Sequence, residues 1–386
     1  MISRRAQQIS PFLAMDVLER ARQLEESGTH IVHLEVGEPD FDVPDCVKEA
    51  ITRAVMAGNT HYTHSLGELR LREAICRYYK DSYQVSISPE QVVVSSGTSP
   101  IMMLLFATLL EDGDEVILSD PRYACYPNMV RFAGGEPVDV PVYEEDGFQM
   151  HPQAVSERIT ARTQAIVINS PSNPTGTLLT PENMRGIADL GITVVSDEIY
   201  HGLVYGGRAH SILEYTDDAV VIDGFSKRYA MTGLRLGYLI APRRYVRALQ
   251  KLQQNFVISA SSVAQAGALA ALEQAGPDVQ RMARQYDARR RLMLDGLGRL
   301  GLSPASEPTG AFYVFVNARH ICADSYRLAY DILEQARVGV TPGADFGSRG
   351  EGYLRLSYAS STSNIEEALA RLEAYLAGLP DGRLAA

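Results

Sequence analysis

The sequence predicts an α/β fold: a mostly parallel sheet with helices on both faces, plus a smaller α+β domain. Two observations carry this. Short β-branched runs recur through the middle of the chain, at 92–94, 115–118, 165–169, 193–196, 220–223 and 236–240, with helix-compatible segments between several of them. Strands alternating with helices give βαβ units, whose parallel strands are covered on both sides and read as near-continuous apolar runs. After Pro304 the pattern resets into strand, helix, strand, helix, as a second, smaller unit would.

In chain order, a helical pattern over 15–27 stops at Gly28, the apolar piece IVHLEV ends at Gly37, and a further helix is expected over 44–57. The alternating region follows. Its last run, LGYLIA, comes after only a short loop and is expected to pair antiparallel. A long helical region begins near Tyr245. Within it, the amphipathic segment at 281–300 is expected to bury Met282, Tyr286 and Leu294 and to solvate its arginines. The C-terminal part reads as a strand at AFYVFV, a helix over 326–336, a strand at YLRLSYA and a final helix from Ser363. This predicts an N-terminal segment, 1–43, packed with a small domain at 281–386, and a large ligand-binding domain at 44–280.

Composition narrows the function. A chain of 386 residues suits two domains and can bury a core without staples. The formal net charge of -11 argues against a nucleic-acid surface. Cys46, Cys76, Cys125 and Cys322 form no C-x-x-C pair and read as reduced thiols, and no histidine–carboxylate cluster suggests a metal. The opening MISRRAQQISPF has basic residues but no apolar stretch after them, so no signal peptide is read there. The longest apolar run, 101–110, is too short to span a bilayer. A cytoplasmic protein is expected.

Four stretches carry chemistry. In VIDGFSKRYAMTGLRLGYLIA, Lys227 follows a strand and a small turn, and Arg235 stands eight residues later between Gly233 and Gly237. The glycines let backbone approach a ligand closely. A shielded lysine can form an imine, and an arginine can clamp a phosphate bidentately. In VVSDEIYHGLVY, Asp197 ends a strand and Tyr200 lies three residues on. The carboxyl ends of strands are where open α/β sheets bind ligands, although a lone aspartate there reads more readily as a helix cap. NSPSNPTG places Asn173 in a rigid proline turn. Ser96, Gly97, Thr98 and Ser99 put hydroxyls and amides at a helix start, an anion site whose spacing fits neither nucleotide fingerprint.

Taken together, these stretches resemble the class I/II aminotransferases, the aspartate-aminotransferase-like branch of fold-type-I pyridoxal-phosphate (PLP) enzymes. The resemblance covers nearly the whole chain. It includes LEVGEPDF, HYTHSLGELRLREAI, DPRYACYP, PTGAFYVF, VTPGADFG and EGYLRLSYA, and the specific S-K-x-x-x-M-x-G-x-R-x-G pattern from Ser226 to Gly237. It implies a seven-stranded large-domain sheet and PLP as cofactor. Lys227 matches the Schiff-base lysine, Asp197 the partner of the pyridine nitrogen, and Tyr200 and Asn173 the donors to the cofactor's ring oxygen. Arg235 with Ser96, Gly97 and Thr98 matches the phosphate site, and Tyr123 the ring stacked on the pyridine. Tyr62 matches a tyrosine that reaches the phosphate of a neighbouring subunit, implying a homodimer with shared active sites. Arg355 matches the grip on the substrate α-carboxylate, and Gly37 the loop that closes over substrate.

The implied reaction moves the amino group of an L-amino acid to a 2-oxo acid. A PLP-dependent β-lyase is the alternative on the same residues. A PLP-binding regulator would be expected to carry an added DNA-binding domain, and a nicotinamide dehydrogenase lacks its glycine fingerprint here. The chain departs from the pattern in three places. Gly224 stands where many relatives have a phosphate-binding serine, with Ser226 as the available substitute. Thr98 and Tyr123 stand where dicarboxylate-specific members often have lysine and tryptophan. His61 and His64 flank Tyr62, and His201 reads as structural.

Overall fold

The computed structural model describes residues 1–384. Its largest element is a seven-stranded sheet. In spatial order the strands are Val92–Ser95, Gly237–Ile240, Ala219–Gly224, Thr193–Asp197, Thr163–Asn169, Glu115–Asp120 and Glu136–Pro141. Gly237–Ile240 runs antiparallel to both of its neighbours, as its short connection requires, and all other pairs are parallel. Alternate residues feed two cores. Val93, Ile222 and Leu239 pack with helix Thr98–Leu109, whereas Val92, Val94 and Val221 pack with helix Leu69–Tyr83 on the other face.

The strand Glu136–Pro141 was not expected. Its sequence, EPVDVP, carries two prolines, which withhold ladder donors. It pairs only with Glu115–Asp120 and so forms the sheet edge, where proline is tolerated. Of IVHLEV, only Val32–His33 is a strand, parallel to Val338–Gly339. Thr341–Pro342, Tyr353–Ser357 and Tyr313–Asn317 form a three-stranded antiparallel sheet near the C-terminus.

Helix Leu13–Glu26, which follows a short helical turn at Arg4–Gln8, is fastened to C-terminal elements. Asp345 accepts from the amides of Leu13 (2.9 Å) and Ala14 (3.1 Å), capping the helix start. Arg20 pairs with Glu334 at 2.6 Å. Helix Gly276–Arg299 runs unbroken through residue 280. Its buried stripe is Met282, Tyr286, Met293 and Leu297; the expected Leu294 lies one position off the 3.6-residue period and is only half-buried. The solvated-arginine expectation also needs correction. Arg290 is buried between Asp287 (2.8 Å) and Glu307, and Arg289 pairs with Asp40 at 2.7 Å over the Phe41 ring. Among the described residues, no helix is long and apolar enough to cross a membrane.

Candidate active site

The carboxyl ends of four strands converge, three of them adjacent and the fourth, Val92–Ser95, one strand further on across Gly237–Ile240. From them emerge the turns at 96–98, 169–176, 197–200 and 224–227, and these surround a cavity of about 480 Å³. Lys227, Asp197, Tyr200, Asn173, Tyr123, Thr98, Ser226, Arg235, Gly37 and Arg355, all singled out from the sequence, line it. Ser96 and Gly97 sit in the turn behind, and Tyr62 stands on the surface, 80 % exposed, away from this cavity.

Lys227 follows the buried strand Ala219–Gly224, and its Nζ donates to the Gly37 carbonyl at 2.6 Å. Burial disfavours the ammonium and lowers its pKa to about 8, partly opposed by the Glu38 carboxylate and reinforced by Arg355 and Arg235. A lysine so placed is an accessible nucleophile near neutral pH. Asp197 ends its strand fully inside. Tyr126 donates to its Oδ2 at 2.6 Å, and the Ile199 amide to its Oδ1 at 3.2 Å. Burial raises its pKa to about 6 against these hydrogen bonds. It makes no ion pair among the described residues and feels the Lys227 amine only through space, so a cation placed closer in the cavity would pair with it.

Asn173 is held by its neighbour Asn169, whose Oδ1 accepts from the Asn173 amide (2.8 Å) while its Nδ2 donates to the Asp197 carbonyl (2.9 Å). Asn173 Oδ1 in turn accepts from Arg355 at 2.9 Å. The Arg355 guanidinium also donates to the Glu35 carbonyl (2.6 Å) and Thr341 Oγ1 (3.1 Å), over the ring of Tyr313. Four interactions thus aim one planar fork into the cavity.

At the opposite end, helix Thr98–Leu109 begins with the cavity-lining Thr98 and Ser99. Its first-turn amides have no intrahelical partner. Arg235, itself in the left-handed region at φ 50°, donates to the Thr232 carbonyl at 2.8 Å and lies against Gly97. A Cβ on Gly97, whose φ is 109°, would stand 2.9 Å from that guanidinium. Helix amides and a guanidinium so close together form a dianion site.

Gly37 is demanded by space: a Cβ there would fall 1.8 Å from the Tyr313 hydroxyl. Next to it, Glu38 accepts from the Thr232 hydroxyl across the cavity mouth. Sequence reasoning gave no role to Tyr126, Asn169 or Tyr313. Tyr126 carried a usable signal, since it lies one helical turn beyond Tyr123, and the two rings meet edge-to-face at 5.2 Å. Of the histidines, His64 accepts from the Leu66 amide (3.2 Å), and His201 is buried between the Tyr83 hydroxyl (2.7 Å) and the Ser170 carbonyl (3.0 Å). Neither they nor His61 line the cavity.

A shielded amine, an unpaired buried carboxylate and a dianion site around one cavity fit the aldehyde, pyridine nitrogen and phosphate of PLP. Comparison with known proteins agrees. The family model for class I and II aminotransferases matches residues 29–372. The chain is 39 % identical to the (5-formylfuran-3-yl)methyl phosphate transaminase of Methanocaldococcus jannaschii, over 97 % of this chain and 100 % of that one. It is 40 % identical to the aspartate/prephenate aminotransferase of Thermus thermophilus, over 96 % and 97 %. The structure of Thermus thermophilus aspartate aminotransferase with maleate superposes with a TM-score of 0.94 at 38 % identity, covering 97 % of this chain and all of that one. The chain therefore belongs to the class I and II aminotransferases: it is a fold-type-I enzyme that uses PLP to move the amino group of an amino acid to a 2-oxo acid in a ping-pong cycle.

Proposed function

We propose that this cavity is the transamination site and that its residues divide the work as follows. Bound PLP supplies an electron sink for the bonds around the substrate's α-carbon. Lys227 attaches the cofactor and, once its amine is released, moves a proton at the α-carbon; its lowered pKa of about 8 suits both tasks. Asp197 holds the pyridine nitrogen protonated, with Tyr126 orienting the carboxylate. Tyr200 and Asn173 donate to the ring oxygen, and Tyr123 stacks on the ring. Arg235, Ser226, Thr98 and the turn at 96–97 hold the phosphate. Arg355 grips the α-carboxylate of an L-amino acid, and the Gly37 loop covers it.

The observation that carries this reading is the enclosure of Lys227, Asp197, Arg235 and Arg355 in one cavity. That the relatives reported above are transaminases favours transfer over β-elimination.

The proposal extends to assembly and place. Tyr62, which cannot serve its own chain's cavity, is suited to reach the phosphate of a second copy, so the enzyme acts as a homodimer with shared sites. The joining of the N-terminal segment, 1–43, to the C-terminal part is supported by the contacts of helix Leu13–Glu26 with Asp345 and Glu334. The acidic charge and the thiols, all free, suit a cytoplasmic enzyme.

The test is the absorbance spectrum of the purified protein, followed by single amino acids without an oxo acid. A visible or near-ultraviolet band that shifts with particular amino acids is expected, and those amino acids define the donor. Lys227→Ala should lose both the protein-linked band and turnover. An undiminished rate in that variant sinks the assignment.

A further inference from the structure

Tyr313 stands where three parts of the site meet. It is almost fully buried, 1 % exposed, on the strand Tyr313–Asn317. Its hydroxyl lies 2.8 Å from the Tyr200 hydroxyl. Its ring face lies 4.4 Å from the Arg355 guanidinium carbon. The backbone of Gly37 rests on the hydroxyl so closely that no side chain fits between them.

Each contact has a consequence. The edges of the Arg355 guanidinium are tied by Asn173, Glu35 and Thr341, but its buried Nε has no partner. The hydrogen bonds hold the two ends of the fork, and its remaining tilt is limited by what lies against its faces, the rings of Tyr313 and, at 5.0 Å, Phe346. Tyr200 has the complementary situation. Its ring meets Phe312 and Tyr313 edge-to-face, and its hydroxyl is hydrogen-bonded to that of Tyr313. A hydroxyl carries one proton and two lone pairs. If Tyr200 turns its proton to an oxygen in the cavity, the Tyr313 proton is the one left to close the pair. Hydrogen bonds in such a chain strengthen one another.

We propose that Tyr313 is a positioning residue that couples the carboxylate grip to the ring-oxygen donor: its ring face limits the tilt of Arg355, and its hydroxyl aims and strengthens the Tyr200 donor. This rests on the roles assigned to Arg355 and Tyr200 above. It also gives the Gly37 loop a structural seat, since the loop must lie flat on the same hydroxyl.

The two halves separate by substitution. The holoenzymes of Tyr313→Phe, Tyr313→Leu and Tyr200→Phe are compared with the parent by pH titration of the bound cofactor's visible band and by KM and kcat for the amino acid that shifts that band. Tyr313→Phe keeps the ring and loses the proton. Its spectral midpoint should rise by about half a pH unit with KM held within about twofold. Tyr313→Leu should also raise KM roughly tenfold, the loss of one partly buried cation–π contact. The Tyr200→Phe midpoint should move at least as far as that of Tyr313→Phe. If Tyr200→Phe moves the midpoint and Tyr313→Phe does not, the hydroxyl half is overturned while the Tyr200 assignment stands. If neither moves it, the Tyr200 assignment fails and the coupling falls with it. An unchanged KM in Tyr313→Leu overturns the ring half; should that variant fold poorly, Tyr313→Met, closer in volume, is read in its place.

Discussion

Two neighbouring regions bury carboxyl groups beside tyrosines, and only one of them opens on the proposed reaction cavity. Asp197 and Glu198 are consecutive in sequence and both fully inside. Asp197 faces the cavity with two neutral donors and no ion-pair partner, the Lys227 amine acting on it only through space. Glu198 points the other way, into a closed cluster. Its Oε1 accepts from the hydroxyls of Ser196 and Ser211 and from the Ile212 amide, each at 3.0 Å, and Tyr79 approaches its Oε2 at 3.4 Å. Nearby, Asp223 is closed by Tyr238 (2.8 Å) and the Gly224 amide (2.6 Å). Burial raises all three pKa values: Asp197 to about 6, Asp223 to about 7 and Glu198 to about 8. A perturbed pKa therefore does not find the site, because the largest of these shifts is in the closed cluster. What distinguishes Asp197 is an unmet need for a cation beside open space.

The comparison breaks most sharply at the charge itself. Asp197→Ala should reduce kcat by roughly 10²–10⁴-fold while the fold and its melting transition persist, whereas Glu198→Gln should leave kcat near the parent's. Steady-state kinetics on the two holoenzymes decides it. Near-normal single turnover in Asp197→Ala would mean that the unpaired carboxylate is not the pyridine partner.

How far this was legible beforehand follows from where each signal is stored. The parallel strands are buried on both faces, so they show as apolar runs, and the turns at their ends are contiguous in sequence; Lys227, Asp197, Asn173 and Thr98 could be read there. The edge strand at 136–141 was hidden by its prolines, whose meaning depends on which strand lies beside them. Tyr126 and Tyr313 look like core aromatics, and only the packing puts one hydroxyl on Asp197 and the other on Tyr200. Arg289 and Arg290 read as a solvated face because Asp40 and Glu307 are distant in sequence. Tyr62 was legible only through resemblance, since its proposed work is in a second copy.

A smaller effect sharpens the closed side of the comparison. The folded-state pKa of Glu198 lies above its ordinary value of 4.5 because burial penalises the carboxylate. The protonated group's contribution to stability is thus fully present below about pH 4.5 and is lost as pH rises through about 8. Glu198→Gln is permanently neutral. Its melting temperature should fall less than the parent's between pH 5 and pH 8, as differential scanning calorimetry would register. Parallel curves for the two proteins would place the pH dependence elsewhere.

The smallest effect concerns a fourth buried carboxyl, Glu35, whose Oε1 is partnered in yet another way while its buried Oε2 has no hydrogen bond. Its carbonyl holds Arg355, and its Oε1 meets His33 Nδ1 at 2.6 Å while His33 Nε2 reaches Glu25 at 3.1 Å. The hydrogen bond to Glu35, with both carboxylates' charge, raises the His33 pKa to about 9 despite partial burial. Here the cation is built in, so this carboxyl is no vacant site. The sign is that of a base gaining partners: the contribution is complete below the ordinary value of 6.5 and is lost as pH rises through about 9. His33→Asn should therefore lower the melting temperature near neutral pH and converge with the parent above about pH 9. Because Glu35 is also a tether of Arg355, the same variant should raise KM for the amino donor more than it lowers kcat. A loss confined to kcat would mean that the His33–Glu35 pair supports the pairing of Val32–His33 with Val338–Gly339 without reaching the proposed carboxylate grip.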